Sequence, residues 1–322
     1  AMEYRTLGAT GLSVSIVGYG ASPLGDEFGR SDPAEGRRAV ARAIDLGMNY
    51  FDVSPYYGRT LAEERLGEAL AGRRHEVILA TKAGRYGKDL PDGFDFTAGR
   101  IARSIDESLR RLRTDYVDVY QLHDIEYAPR EQIIGEALPA MRRLQEQGKV
   151  RFVGITSYAL HLMRDVARQA AVDTILSYCR YNLLDTSLAT VLAPLATERG
   201  IGLINASPLH MRVLSNRGAP DWHPAPQRVR EAAGRAAALC QEAGSDLAEL
   251  AMHFALEYGG VATTLVGMSK LAHVERNVAA LGVRPDTALL AEVRALLAPV
   301  VDVCWQEGLP ENYEPGALPK AA

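Results

Sequence analysis

Asp52, Tyr57, Lys82 and His123 supply a carboxylate, a phenol, an ammonium and an imidazole, each at or just past the end of a short apolar run. Those four groups can pass a proton near neutrality. An isolated phenol titrates near ~10, too high for a base at neutral pH. An adjacent ammonium favours the phenolate and lowers that value. Lys82 is the candidate cation, and Asp52 the counter-charge that keeps it ionised and oriented. His123 can hydrogen-bond a substrate oxygen and fix the reacting carbon in place. Each residue also has a plainer reading: a strand-end lysine as a surface ion, a Pro-Tyr-Tyr-Gly tyrosine as packing, a lone histidine as a structural donor. Convergence of all four on one rim is what favours chemistry. None of the seven histidines has metal-ligand spacing, so a metal-free site is expected.

These residues lie far apart in the chain, so a fold must assemble them. Near-continuous apolar runs predict strands over Ile16–Gly20, Asn49–Val53, Val77–Lys82, Val117–His123, Arg151–Thr156, Thr174–Tyr178, Gly202–Ala206 and Thr263–Gly267. Helical stretches alternate with them: Pro33–Leu46, Leu61–Ala71, Ala98–Leu112, Arg130–Glu146, Leu160–Gln169, Ser187–Arg199, Arg228–Ala243 with Asp246–Glu257, and His273–Ala280. In the third of these, Ile101, Ile105, Leu109 and Leu112 form the apolar stripe, with Ser104, Glu107 and Arg111 on the polar face. Gly47, Gly148 and Gly200 stand where left-handed caps end helices. Glu3–Leu7 and Leu12–Ser15 read as a hairpin. Eight alternations predict a single-domain α/β protein spanning 1–322, a (β/α)8 TIM barrel with the hairpin at its base. No Gly-x-Gly-x-x-Gly opens a helix after a strand, which argues against a doubly wound nucleotide fold. In a barrel the strand ends share one mouth, and the long Leu209–Gln227 connection on that face is a candidate flap.

Composition narrows the partners. With 47% hydrophobic and 24% charged residues and a net charge of −4, the chain reads as globular, with no electrostatic case for nucleic acid or an anionic membrane. No apolar run approaches a bilayer span and no signal-like segment opens the chain. The three cysteines, Cys179, Cys240 and Cys304, are dispersed, as for reduced thiols in a cytoplasmic protein. A monomer or weak homo-oligomer is expected.

Phe51-Asp52-Val53-Ser54-Pro55-Tyr56-Tyr57-Gly58, Ala80-Thr81-Lys82 and Gln121-Leu122-His123 together resemble the aldo-keto reductases, and the likeness runs through nearly the whole chain. The resemblance implies that Asp52, Tyr57, Lys82 and His123 are the catalytic tetrad and that the cofactor is a nicotinamide nucleotide. It implies cofactor contacts from Gly20, Ala21, Ser157, Tyr178, Ser207, Pro208, Leu209, Gly267, Ser269, His273, Arg276 and Asn277. Tyr158 stands where that family usually has asparagine. Ala206 replaces the tyrosine that stacks on nicotinamide, and Tyr178 is the candidate to fill that vacancy.

Ala21-Ser22-Pro23-Leu24-Gly25, His123-Asp124-Ile125-Glu126 and Ala206-Ser207-Pro208-Leu209 are similar to the branch that holds the plant L-galactose dehydrogenases and bacterial aldose dehydrogenases. That likeness implies NAD-linked oxidation of a cyclic sugar at C1. A neutral sugar needs several hydrogen-bonding groups and an apolar wall; Ser22, Asp124, Glu126 and Trp305 are the candidates. Asp124 and Glu126 can also be read as surface charges, and Trp305 as packing on the barrel exterior. NAD is expected over NADP, because Gly267 and His273 stand where basic groups often hold a 2′-phosphate; Lys270 and Arg276 remain. The alternatives are an NADPH-dependent aldehyde or ketone reductase and a nucleotide-binding redox sensor.

Overall fold

The computed structural model describes residues 1–322. Strands β1 (Tyr4–Thr6) and β2 (Ser13–Ser15) pair antiparallel as the expected hairpin. The remaining strands are β3 (Val17–Gly20), β4 (Tyr50–Asp52), β5 (Ile78–Ala83), β6 (Val117–Leu122), β7 (Val150–Ser157), β8 (Thr174–Tyr178), β9 (Gly202–Ala206) and β10 (Thr263–Gly267). They run parallel, and β10 closes against β3, so the sheet is an eight-stranded barrel with helices between its strands. No helix is long and apolar enough to cross a membrane.

The lumen fixes which side chains reach the mouth. Tyr50, Ala80, Val119, Leu176, Ile204 and Leu265, from six different strands, form one buried cluster with Leu7 and Val14 of the hairpin. Such residues can meet only inside the cylinder, and the hairpin plugs its base. Side chains on a strand alternate between faces. Two residues beyond those lumen positions stand Asp52, Lys82, Gln121, Tyr178, Ala206 and Gly267, and two beyond Gln121 stands His123. An apolar floor and a polar rim thus follow from one period-two pattern.

Helix ends obey local chemistry. The Asp32 carboxylate accepts from Ala34 N at Pro33–Asp45, and Thr97 Oγ1 accepts from Arg100 N at Ala98–Leu112. Gly47, Gly148 and Gly200 take left-handed angles, as expected. Ser104 departs from expectation: it is buried beside Tyr86 and Tyr120, since a serine is small enough to sit within the apolar stripe. Two expected helices are interrupted. A π turn, Ile133–Ala137, precedes Leu138–Glu146, and a break separates Ser187–Val191 from Ala193–Arg199. Pro139 and Pro194 each lack the N–H that a continuous ladder needs. Beyond the expected elements lies a helix over Thr287–Leu297, capped by Asp286, with Leu289, Val293 and Leu297 buried at one-turn spacing. The Leu209–Gln227 connection is packed rather than free-standing: Val213, Leu214 and Ala225 are buried, and His223 Nε2 lies 2.8 Å from the His210 carbonyl oxygen. Its tip stands clear, with Trp222 62% exposed.

One close approach bears on the rim. Gly58 has φ +62°, and a Cβ there would collide with the backbone of Gly25. The Glu27 carboxylate accepts from Gly58 N at 2.5 Å, so the loop after β3 is tied to the loop carrying Tyr57. We expect Gly58→Ala to lower stability by about 1–3 kcal/mol through strain and overlap. A urea titration with the wild-type midpoint would contradict this.

Candidate active site

The ammonium of Lys82 donates to three acceptors, as many as it has protons. These are Asp52 Oδ1 at 2.5 Å, the Val53 carbonyl at 3.1 Å and Tyr57 Oη at 3.1 Å. The Lys82 and Asp52 side chains are only 2% and 4% exposed, so a pair of full charges lies inside the protein. The second carboxylate oxygen of Asp52 accepts from Gln121 Nε2 at 3.0 Å. Tyr57 Oη receives a proton donor from Lys82, so its own hydroxyl proton must point elsewhere, toward the mouth.

Electrostatics sharpen these roles. Burial works against the Lys82 ammonium, but Asp52 and Tyr57 more than offset it and the pKa rises; the lysine stays charged. Burial also raises the Tyr57 pKa, Lys82 opposes that rise, and Asp52 adds to it. The net direction corrects the expectation from sequence. Lys82 does pull the phenol down, yet desolvation wins, and Tyr57 is a protonated phenol at neutral pH. His123 is held well below its usual pKa by burial, then by Lys82 and Arg85, so it is a neutral imidazole. It cannot be the acid. Its ring meets Tyr57 edge-on, with centroids 5.6 Å apart.

A second charged pair lines the same rim. Arg85 Nη1 donates to Asp124 Oδ2 at 2.6 Å, with the guanidinium 4.3 Å from the Tyr56 ring centroid. Asp124 has φ +57°, and its N–H donates to Thr156 Oγ1 at 3.0 Å. Glu126 is fully buried; Oε2 accepts from Tyr158 N at 3.0 Å while Oε1 has no partner. Neither acid is a surface charge. Ser22 opens the short turn Ser22–Gly25 after β3.

Trp305, read from sequence either as a wall closing the pocket or as packing, is enclosed by other side chains. It is 1% exposed, stacks on Tyr158 at 4.6 Å and donates from Nε1 to Glu307 at 3.1 Å. His210 and His223 pack edge-on against it. It backs Tyr158, which is itself fully buried and lies 5.5 Å, centroid to centroid, from Tyr178.

The residues implied to hold nucleotide fall around this rim. Gly20 and Gly267 end neighbouring strands in register, and Ala21 N donates to the Asp52 carbonyl at 2.9 Å. Tyr178 is half-buried and pairs in register with Ala206, beside the position where the stacking tyrosine is missing. Ser207 follows with φ +58°, its carbonyl accepting from Asn182 Nδ2 at 3.3 Å, and Pro208 and Leu209 begin the packed connection. Ser157 departs from the lumen column; its Oγ accepts from Ala159 N at 2.9 Å. Ser269 N donates to His273 Nδ1 at 3.4 Å ahead of the helix Leu271–Ala279, which no side chain caps. Arg276 and Lys270 are exposed there, and Asn277 is half-buried. An uncapped helix start with Lys270 at its N-cap suits a phosphate, and a half-buried aromatic beside an alanine suits a flat ring. These residues fit a nicotinamide nucleotide.

The geometry is that of a barrel oxidoreductase in which a phenol, a lysine and an imidazole share one mouth. Residues 16–298 match the model of the aldo/keto reductase family. The chain belongs to that family, whose members use nicotinamide cofactors. It is 44% identical to L-galactose dehydrogenase of Arabidopsis thaliana, covering 97% of this chain and 99% of that one. It is 31% identical to D-threo-aldose 1-dehydrogenase of a Pseudomonas species, covering 90% and 97%. Among solved structures, a holo aldo-keto reductase from Bacillus halodurans superposes with a TM-score of 0.76 at 30% identity, covering 94% of this chain and 97% of that one.

Sequence reasoning passed over Gln121, Ser54 and Arg85 as partners of the tetrad. Gln121 had a signal, two residues before His123 on one strand face; Ser54 and Arg85 lie in loops, where no period points inward.

Two substitutions separate chemistry from stability. Tyr57→Phe should lower turnover by roughly 10²–10⁴-fold and leave nucleotide affinity, read by fluorescence titration, unchanged. Lys82→Met should in addition cost about 3–5 kcal/mol, because Asp52 is left as an unpaired buried charge. Wild-type turnover in the first variant, or an unshifted urea midpoint in the second, would count against these roles.

Proposed function

We propose that this chain is an aldose 1-dehydrogenase that oxidises the cyclic hemiacetal carbon of L-galactose, L-fucose or a related sugar to the lactone, with NAD preferred over NADP. The observation that carries this reading is the 44% identity to L-galactose dehydrogenase across nearly the full length of both chains; the bonds joining Asp52, Lys82 and Tyr57, with His123 edge-on to Tyr57, support it. A nicotinamide nucleotide held along Gly20, Tyr178, Ser207 and Gly267 would supply the acceptor for the C1 hydride. Tyr57 takes the proton from the C1 hydroxyl as the C1–O bond becomes a carbonyl. Lys82 steadies the phenolate that this step requires, Asp52 keeps Lys82 charged, and the neutral His123 hydrogen-bonds the same oxygen. Glu126 Oε1, buried without a partner beside Asp124, is our candidate acceptor for a sugar hydroxyl. Tyr178 is our candidate for stacking on the nicotinamide ring.

The preference for NAD rests on two positions. Gly267 offers no side chain, and His273 is held neutral by burial and by Arg276 and Lys270. Those two exposed cations support the competing reading, an NADPH-dependent aldehyde reductase.

Initial rates at 340 nm with a panel of aldoses, NAD and NADP distinguish the two. Turnover of L-galactose or L-fucose with a higher kcat/KM for NAD supports the proposal. Activity restricted to aldehydes with NADPH would replace it.

The pH profile is a second test. Burial holds Tyr57 protonated in the free protein, whereas oxidation needs the phenolate. Oxidative turnover should therefore climb by up to about tenfold per pH unit between roughly pH 6 and 9. A rate already level at pH 6 would show that the phenol is not the titrating base.

A further inference from the structure

Ser54 lies between Asp52 and Tyr57 in sequence and is fully buried. Its hydroxyl touches two groups. Oγ accepts the N–H of Tyr56 at 3.0 Å and lies 3.0 Å from His123 Nδ1. A hydroxyl carries one proton and two acceptor sites. Tyr56 occupies one acceptor site, and the structure gives the Ser54 proton no acceptor other than Nδ1. A buried donor without an acceptor is costly, so the proton goes to the ring. Nδ1 is then an acceptor, and a neutral imidazole must carry its proton on Nε2.

The opposite edge of the ring selects the same form. Asp124 Oδ2, held by Arg85 at 2.6 Å, lies 3.5 Å from His123 Nε2. A carboxylate there repels a nitrogen lone pair and tolerates an N–H. At 3.5 Å it does not saturate that N–H, since good N–H···O contacts run nearer ~2.9 Å. The Nε2 proton is left for a substrate oxygen.

We infer that Ser54 is a positioning residue that locks His123 as the Nε2–H tautomer, so that the imidazole donates to the substrate oxygen and cannot accept from it. The consequence concerns direction. A substrate hydroxyl has one proton. If Nε2 carried a lone pair, that proton would be drawn to His123 and away from Tyr57. With Nε2 protonated, His123 takes a lone pair of the oxygen, and the hydroxyl proton is left to Tyr57 Oη. The arrangement serves any alcohol or carbonyl substrate at this site. It rests on the proposed dehydrogenase reading only for its effect on rate.

The test labels the full-length chain with ¹⁵N-histidine and reads the tautomer from long-range ¹H–¹⁵N correlations, with His123 assigned by its loss in His123→Gln. The wild type should show an unprotonated Nδ1 and a protonated Nε2. Ser54→Ala should shift His123 toward a mixture of forms and lower kcat about 10- to 100-fold, less than the ~10⁴ seen where a triad histidine is forced into the wrong tautomer, because Asp124 still biases the ring. Ser54→Cys, which keeps a weak donor, should restore part of both readouts. A wild-type ring protonated on Nδ1 overturns the proposal, as does Ser54→Ala with an unchanged tautomer or with a shifted tautomer and full turnover. If Ser54→Ala fails to fold, the wild-type spectrum and the cysteine variant still decide. The spectrum needs no substrate, so failure to find an aldose would defeat the functional proposal and leave this one standing.

Discussion

An ammonium and a carboxylate enclosed in a barrel constrain everything around them. Water cannot solvate Lys82 or Asp52, and an isolated buried charge costs several kcal/mol. The protein meets that demand completely. Lys82 uses all three protons on Asp52, Val53 and Tyr57, and the free oxygen of Asp52 is covered by Gln121. The third of those acceptors is the phenol, so the electrostatic need of the lysine is what orients the reactive group. Position and chemistry have a single cause here.

The imidazole is held by a parallel device. Arg85 and Asp124 form a second, largely enclosed pair, and His123 sits between Asp124 and Ser54 as the phenol sits beside Lys82. In each case two charges cancel against one another and a neutral, proton-bearing side chain stands at the open end. Neither group is ionised in the free protein, because burial raises the phenol and lowers the imidazole. A site built from neutral reactive groups on charged supports avoids placing a net charge at the mouth before a substrate arrives.

Much of this was legible because period-two alternation leaves a mark on the chain. Asp52, Lys82 and His123 interrupt apolar runs at their ends, and β8, β9 and β10 have the bounds that their runs predict. What escaped depends on burial or on loops. The net direction at Tyr57 is a contest between desolvation and Lys82, and sequence carries no measure of the former. Ser54 looks like any turn serine until His123 is brought to it across the barrel. Trp305 read as a wall because an aromatic near the chain end has no periodicity to say which face it turns. The interrupted helices were a different omission: Pro139 and Pro194 announce them, and the apolar spacing through each masked the missing N–H.

The tail divides the labour of the site. The family-wide match ends at residue 298, before the tail reaches the mouth. Leu309 N and Asn312 Nδ2 both donate to the Glu126 carbonyl, Glu307 accepts from Tyr127, Trp305 and Lys320, and Glu314 accepts from His161 and Arg180. Those bonds fix Glu126 and Tyr158 from outside the barrel, while the tetrad is fixed entirely by the strands and the loops that follow them. A change in the tail can therefore move the buried Glu126 side chain without touching the Lys82–Asp52 pair. The proton-bearing groups and the Glu126 region are thus held by separate parts of the chain, so the packing of one places no demand on the other.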